Sequence, residues 1–144
     1  MLFRSPPDKR PWDDAVTLAL TYAGIKYDKI WDKDVLEGKL HDYDWVHLHH
    51  EDFSGQYGKF YASFHTAPWY VQQVKEYTQA AREAGYDKVW QHKHAVARAL
   101  RDYVSEGGFL FAMCSATDSI DVALAADETD IVAPEIDEIG RAHV

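Results

Sequence analysis

Hydrophobic residues along the chain follow two different spacings. In three segments they recur every three or four residues, which predicts amphipathic helices over residues 12–23, 68–84 and 87–105. Segments 25–31 and 43–50 have the composition and spacing of strands, and the run Phe109–Met113 is apolar throughout. An uninterrupted apolar strand is typical of a parallel sheet that is covered on both faces. The order of these elements therefore predicts an α/β chain with parallel strands.

Shorter elements complete this pattern. Residues 34–40 and 118–126 are predicted to form helices, the second capped by Thr117 or Asp118, and residues 130–134 one more strand. Residues 1–5 resemble the end of a strand that is too short to stand in the middle of a sheet. His92 and His94, in the second long helix, are expected to be solvated.

Composition narrows the classes of function. The 144 residues are 47% hydrophobic, which is enough for one domain with one core. The 24 acidic residues outnumber the 15 lysines and arginines and give a net charge of -9, so nucleic acid and membrane surfaces are not expected as partners. No apolar run approaches the roughly 20 residues of a spanning helix. A single cysteine permits no internal disulfide and no secretory pattern is recognised, so a cytoplasmic setting is expected.

The single cysteine, Cys114, stands where the apolar strand ends and the next helix begins. At such a junction the N–H groups of the first helical turn and the positive end of the helix dipole favour a thiolate over a thiol. The N–H of Ser115 is placed to stabilise an oxyanion, and Asp118 is close enough to touch a ligand. The pattern predicts a nucleophile. The alternative is a buried cysteine that fills a tight turn, as free cysteines often do.

The densest group of polar residues follows the second of the predicted strands. His49, His50, Glu51 and Asp52 are expected at the same carboxyl edge of the sheet as Cys114, where open α/β sheets bind ligands. His50 and Glu51 are the candidates for catalysis, and His49 and Asp52 the candidates for substrate binding. The alternatives are a hydrogen-bonded network and a zinc or iron site, although the spacing matches no metal-ligand signature.

The loop 51–66 is rich in aromatic residues and is expected to fold over this site. Its Gln56 and Tyr57 are further candidates for substrate binding, and the alternative is a loop whose aromatic side chains fill a small core of their own. No phosphate-binding glycine loop is recognised in the sequence. Neither a metal nor another cofactor is therefore expected.

Three segments, 12–20, 43–61 and 109–118, carry a resemblance to a known family. They resemble the class I glutamine amidotransferase-like superfamily, which includes the ThuA-like proteins, and more closely a bacterial family labelled asparagine synthetase B. The likeness extends over nearly the whole chain up to Asp137. It implies a three-layer α/β/α sandwich with a flavodoxin-like, mainly parallel sheet.

The resemblance also implies a reaction. Catalytic members of the superfamily present their nucleophile in a Gly-x-Cys-x-Gly elbow, and the corresponding residues here are Ala112-Met113-Cys114-Ser115-Ala116. The elbow residues are small, as a tight turn requires. Without the glycines, however, the sequence does not decide whether the cysteine has the strained backbone conformation of the elbow. In that family a His and a Glu from a later segment, beyond Asp137 here, complete the triad. The implied chemistry is amide hydrolysis or acyl transfer through a thioester.

Two further expectations concern the extent of the domain and its partners. Residues 1–137 are expected to be part of a larger domain, and residues 138–144 a non-native tail, because 139–144 match a translated sequencing adapter. The expected partner is a small polar molecule, and a homodimer is left open. The alternative function is a noncatalytic module of the same fold that binds a small polar ligand such as a sugar.

Overall fold

Four parallel strands form the sheet of the computed structural model, which describes residues 2–3, 15–49 and 60–137. The order across the sheet is β2-β1-β3-β4, and every neighbouring pair is parallel. The strands are β1 (Leu2–Phe3), β2 (Lys29–Ile30), β3 (Trp45–His49) and β4 (Phe109–Met113). The prediction of an α/β chain with parallel strands is confirmed.

Helices connect these strands and account for most of the described chain. The two long ones, predicted by their apolar spacing, are confirmed at α4 and α5 within two residues of the expected ends. The helices are α1 (Ala15–Tyr22), α2 (Asp32–Leu36), α3 (Tyr61–Phe64), α4 (Pro68–Glu83), α5 (Val89–Ser105), α6 (Ser115–Ala125) and α7 (Pro134–Asp137), with a 3-10 turn at Lys39–Asp42.

The main hydrophobic core lies between one face of the sheet and the helices α2, α5 and α6. Val46 and Leu48, at alternate positions of β3, are completely buried there, and Leu100 of α5 packs with them. On the other face of β4, Phe109 and Phe111 are 59% and 44% exposed. Within the described residues, the covered face of β4 is therefore the one that α5 and α6 pack against.

A second, smaller core lies on the far side of α5. Tyr70, Val74 and Ala81 of α4 are buried against Val89 at the start of α5, and Ile136 of α7 packs at their edge. Helix α5 is thus enclosed on two sides, by the sheet and by α4. Because of this enclosure, polar residues of α5 are buried as well as apolar ones.

His92 and His94 of α5 were expected to be solvated, and this expectation is wrong. Their exposed fractions are 2% and 1%. The helical spacing places them beside the apolar face of α5, and neighbouring segments cover both flanks of the helix. Burial of polar side chains here comes from tertiary packing and not from the local pattern.

Several of the short elements differ from their predictions. Residues 130–134 form no strand, because the side chain of Asp130 accepts a hydrogen bond from the N–H of Val132 and bends the chain before α7. Strand 25–31 is reduced to β2, and helix 34–40 is divided at Gly38, whose φ of 84° ends α2. Strand β1 is only two residues long, yet it pairs with both β2 and β3. The expectation that it could not be central is therefore wrong.

Candidate functional site

The backbone of Cys114 has an unusual conformation. Its φ and ψ are 57° and -136°, a region that residues other than glycine rarely adopt. Such a conformation costs on the order of 1–3 kcal/mol and is found mainly where the surrounding structure holds it for a function. The residue follows β4 directly and its thiol is exposed. The strained backbone conformation, which the sequence did not decide, is therefore present. The alternative of a buried structural cysteine is wrong.

Helix α6 begins immediately after Cys114, which occupies the N-cap position. The prediction of a cap at Thr117 or Asp118 is wrong, because the small residues Ser115 and Ala116 let the helix start at once. Thr117 instead turns back, and its N–H and its Oγ1 both donate to the carbonyl oxygen of Cys114, at 3.3 and 2.7 Å. These two bonds hold the peptide plane that follows the thiol.

The entry to β4 is fixed by a close contact at Gly108. A Cβ atom at this position would lie 2.2 Å from the ring of Tyr103, which only glycine avoids. The Tyr103 ring is buried, and its hydroxyl donates to the carbonyl oxygen of Tyr43 at 2.9 Å. The end of α5, the segment before β3 and the start of β4 are thereby held together. This contact fixes the start of β4 and thereby the position of Cys114 at its end.

The register of the sheet places the end of β3 beside the elbow. His49, the last residue of β3, pairs with Met113, which directly precedes Cys114. The carboxyl end of β3 therefore lies at the same edge of the sheet as Cys114. His49, Ser115 and Asp118 are located by their backbone, at the end of β3 and in the first turn of α6. Five further candidates lie outside the described residues: His50, Glu51, Asp52, Gln56 and Tyr57.

The two faces of β3 carry different chemistry, as its alternation predicts. His47 lies on the face opposite Val46 and Leu48 and is almost completely buried. Its ring stacks on that of Phe111 at a centroid distance of 5.4 Å and an interplanar angle of 26°. His47 therefore packs across the β3–β4 pair, beneath the edge that carries the candidate site.

A second polar site, at the start of α5, was not predicted from the sequence. Trp90, His94 and Arg98 recur every four residues along α5 and line a cleft, to which Tyr86 also contributes. Burial lowers the pKa of His94 and of His92, so both imidazoles are neutral near pH 7. The four-residue recurrence of an aromatic, an imidazole and a guanidinium side chain was the signal available in the sequence.

The described part of the chain contains no group of three or more His, Cys, Asp and Glu side chains that could hold a metal ion. None of its helices combines the length and the apolar character needed to cross a membrane. The chain was also compared with known proteins. A scan of protein-family models, a search of curated proteins and a search of solved structures each found no match. The resemblance to the amidotransferase-like superfamily thus stays a prediction.

Proposed function

We propose that the chain is an amidotransferase-like domain in which Cys114 is the nucleophile of amide hydrolysis or acyl transfer. The observation that carries this proposal is that Cys114 has a strained backbone and is exposed, between a parallel strand and a helix. A sharp turn of this kind lifts a nucleophile out of the sheet and directs it at a substrate. It also leaves the first N–H groups of α6 without acceptors inside the helix.

The reaction follows from these groups. The Cys114 thiol gives its proton to a base, and Sγ attacks the carbonyl carbon of the amide. The carbonyl oxygen becomes an oxyanion, for which the N–H of Ser115 is the candidate donor. The C–N bond then breaks, the amine leaves with a proton, and the acyl group stays on Sγ as a thioester. Water or a second amine attacks the thioester and frees the thiol.

His50 and Glu51 are the proposed partners of the thiol. They follow His49 in the sequence, and His49 pairs with the residue before Cys114. Both residues are within two positions of the end of β3, and this end lies at the edge of the sheet that carries Cys114. His49, Asp52, Gln56, Tyr57 and Asp118 are proposed to bind the substrate around this pair.

The finer description of the fold belongs to the same proposal. A β2-β1-β3-β4 order with all strands parallel is the order of the first four strands of a flavodoxin-like sheet. In such sheets ligands bind beyond the carboxyl ends of the strands. A three-layer α/β/α sandwich would add helices over the exposed face of β4. The order of the strands supports this architecture, and with it the use of the edge at Cys114.

The proposal is tested through the only thiol of the chain. We expect iodoacetamide to alkylate the folded protein at pH 7 faster than the urea-unfolded protein, which serves as an internal reference. Incubation with p-nitrophenyl acetate should leave an acetyl group on Cys114 that hydroxylamine removes, and Cys114→Ser should abolish that thioester. Slower alkylation in the folded state, or acetylation at other residues only, would leave the noncatalytic ligand-binding module as the better proposal.

A further inference from the structure

The cleft at the start of α5 is separate from the elbow in its composition and in the elements that form it. It has a volume of about 460 Å³, within the range of about 300–1,000 Å³ that is typical of small-molecule sites. Its walls come from the turn after α4, the first three turns of α5 and the turn after α6. The lining residues that matter here are Tyr86, Asp87, Trp90, His94, Arg98 and Glu128.

The floor of the cleft contains polar atoms that no described residue pairs. The Nε1 of Trp90 and both ring nitrogens of His94 are buried and have no hydrogen-bond partner within the described ranges. Leaving a buried donor or acceptor without a partner is costly, and a polar ligand that pairs with such a group removes this cost. The Trp90 and His94 rings meet edge to face at 5.1 Å. The partly buried Trp90 ring thus packs against the imidazole, whose nitrogens are out of contact with solvent.

The charges around the cleft favour a cation. Asp87 and Glu128 are exposed and form no ion pair within the described part of the chain, so their carboxylates are available to a ligand. The positive charge of Arg98 is neutralised by its ion pair with Asp127. His94 adds no positive charge near pH 7, because burial lowers its pKa. An anion would meet two unpaired carboxylates, whereas a cation would be drawn to them.

The aromatic side chains add to this preference. Trp90 and Tyr86 are each only partly buried in the wall of the cleft. Tryptophan and tyrosine rings attract ammonium groups through their negative faces, and quaternary ammonium ions are recognised in this way. The unpaired N–H of Trp90 additionally calls for an acceptor on the ligand, such as a hydroxyl oxygen.

We propose that this cleft binds a small organic ammonium ion that carries a hydroxyl group. The ammonium group lies between the Trp90 and Tyr86 rings and the carboxylates of Asp87 and Glu128. The hydroxyl oxygen accepts from the Trp90 N–H once the ring has turned, and its proton is donated to a nitrogen of His94. This binding site does not depend on any reaction at Cys114.

The test uses choline as the probe and the 144-residue chain as the protein. Isothermal titration calorimetry should give saturable binding of choline, and its uncharged isostere 3,3-dimethyl-1-butanol should bind at least about tenfold more weakly. Added salt should weaken the binding of choline, because the carboxylates are exposed. Equal binding of the isostere, preferential binding of inorganic phosphate or of glucose, or no saturable binding of choline would overturn the proposal.

Variants locate the binding. Glu128→Gln should weaken choline binding about threefold to tenfold, since it removes one exposed carboxylate from the wall. Glu135→Gln removes the same charge from α7, outside the cleft, and should leave the affinity unchanged. Trp90→Phe keeps an aromatic ring but loses the N–H, and it should weaken choline, with circular dichroism to verify folding. Equal effects of Glu128→Gln and Glu135→Gln would mean that only the net charge attracts the ligand.

Discussion

The elbow at Cys114 and the cleft at the start of α5 are built in opposite ways. The elbow is a local structure, in which a strand, a few small residues and a helix follow one another in the sequence and determine the position of the thiol. The cleft draws on segments that are far apart in the chain, and its Arg98–Asp127 ion pair joins positions 29 residues apart. A local site is encoded by neighbours along the chain. A site between elements exists only when the whole core has formed.

This contrast predicts different responses to mutation. Variants at the elbow should change backbone strain and reactivity while the core survives. Variants that weaken the packing of α5 should lower the stability of the whole chain. They should also disrupt the cleft, because α5 forms one of its walls.

The largest effect is expected at the anchor of α5. The Lys93 ammonium group and the Asp32 carboxylate form an ion pair at 2.6 Å, and both side chains are 1% exposed. Asp32→Ala would remove a buried carboxylate that pairs with the Lys93 ammonium group, and should lower the free energy of unfolding by about 3–5 kcal/mol. Urea denaturation measures this change.

Two controls accompany the anchor variant. Lys39→Ala removes the pairs of Lys39 with Asp34 and with Glu37, which are partly exposed, and its effect should be much smaller. The double variant Asp32→Leu, Lys93→Met should recover most of the loss, because it removes both charges of the pair. Equal losses for Asp32→Ala and Lys39→Ala would contradict the account of α5 as the anchored element.

A smaller effect on stability is expected at the elbow, where the sign of the difference between a glycine and an alanine variant is diagnostic. Glycine adopts the backbone conformation of Cys114 without the clash that a Cβ atom causes, so Cys114→Gly should be more stable than Cys114→Ala by about 1 kcal/mol. At the preceding position, in the extended strand, the order should reverse, and Met113→Gly should be less stable than Met113→Ala. The same order at both positions would show that the elbow is not strained in solution.

The smallest effect is expected in the pH dependence. Burial lowers the pKa of His94 below its ordinary value of 6.5, with partial compensation by Asp127 and Asp130. As the pH falls below about 6.5, the unfolded chain takes up a proton at His94 that the folded chain does not, so stability decreases. His94→Gln should remove this part of the slope, which is at most about 1.4 kcal/mol per pH unit. His65→Gln, on the exposed end of α3, is the control, and an unchanged slope in His94→Gln would contradict the assignment.

The sequence predicted the elements around the elbow because their signals are local. The apolar run at Phe109–Met113 and the small residues beside Cys114 require no knowledge of distant contacts, and the strand and the helix after it are both present. The expectation that this strand is covered on both faces is wrong, because Phe109 and Phe111 are exposed on one of them. The strain at Cys114 was left open, since without glycines the residue types give no reason for a positive φ. The structure shows the positive φ directly, and Thr117 in the first turn of α6 holds the peptide that follows Cys114.

The sequence by itself determined the α/β class, the two long helices and the position of the thiol between strand and helix. Only the tertiary structure decided that the two-residue β1 stands in the middle of the sheet, where β2 and β3 provide its hydrogen bonds. It also decided the burial of His92 and His94. Periodicity records which side of a helix is apolar, whereas the burial of its polar flanks depends on segments that arrive from elsewhere in the chain.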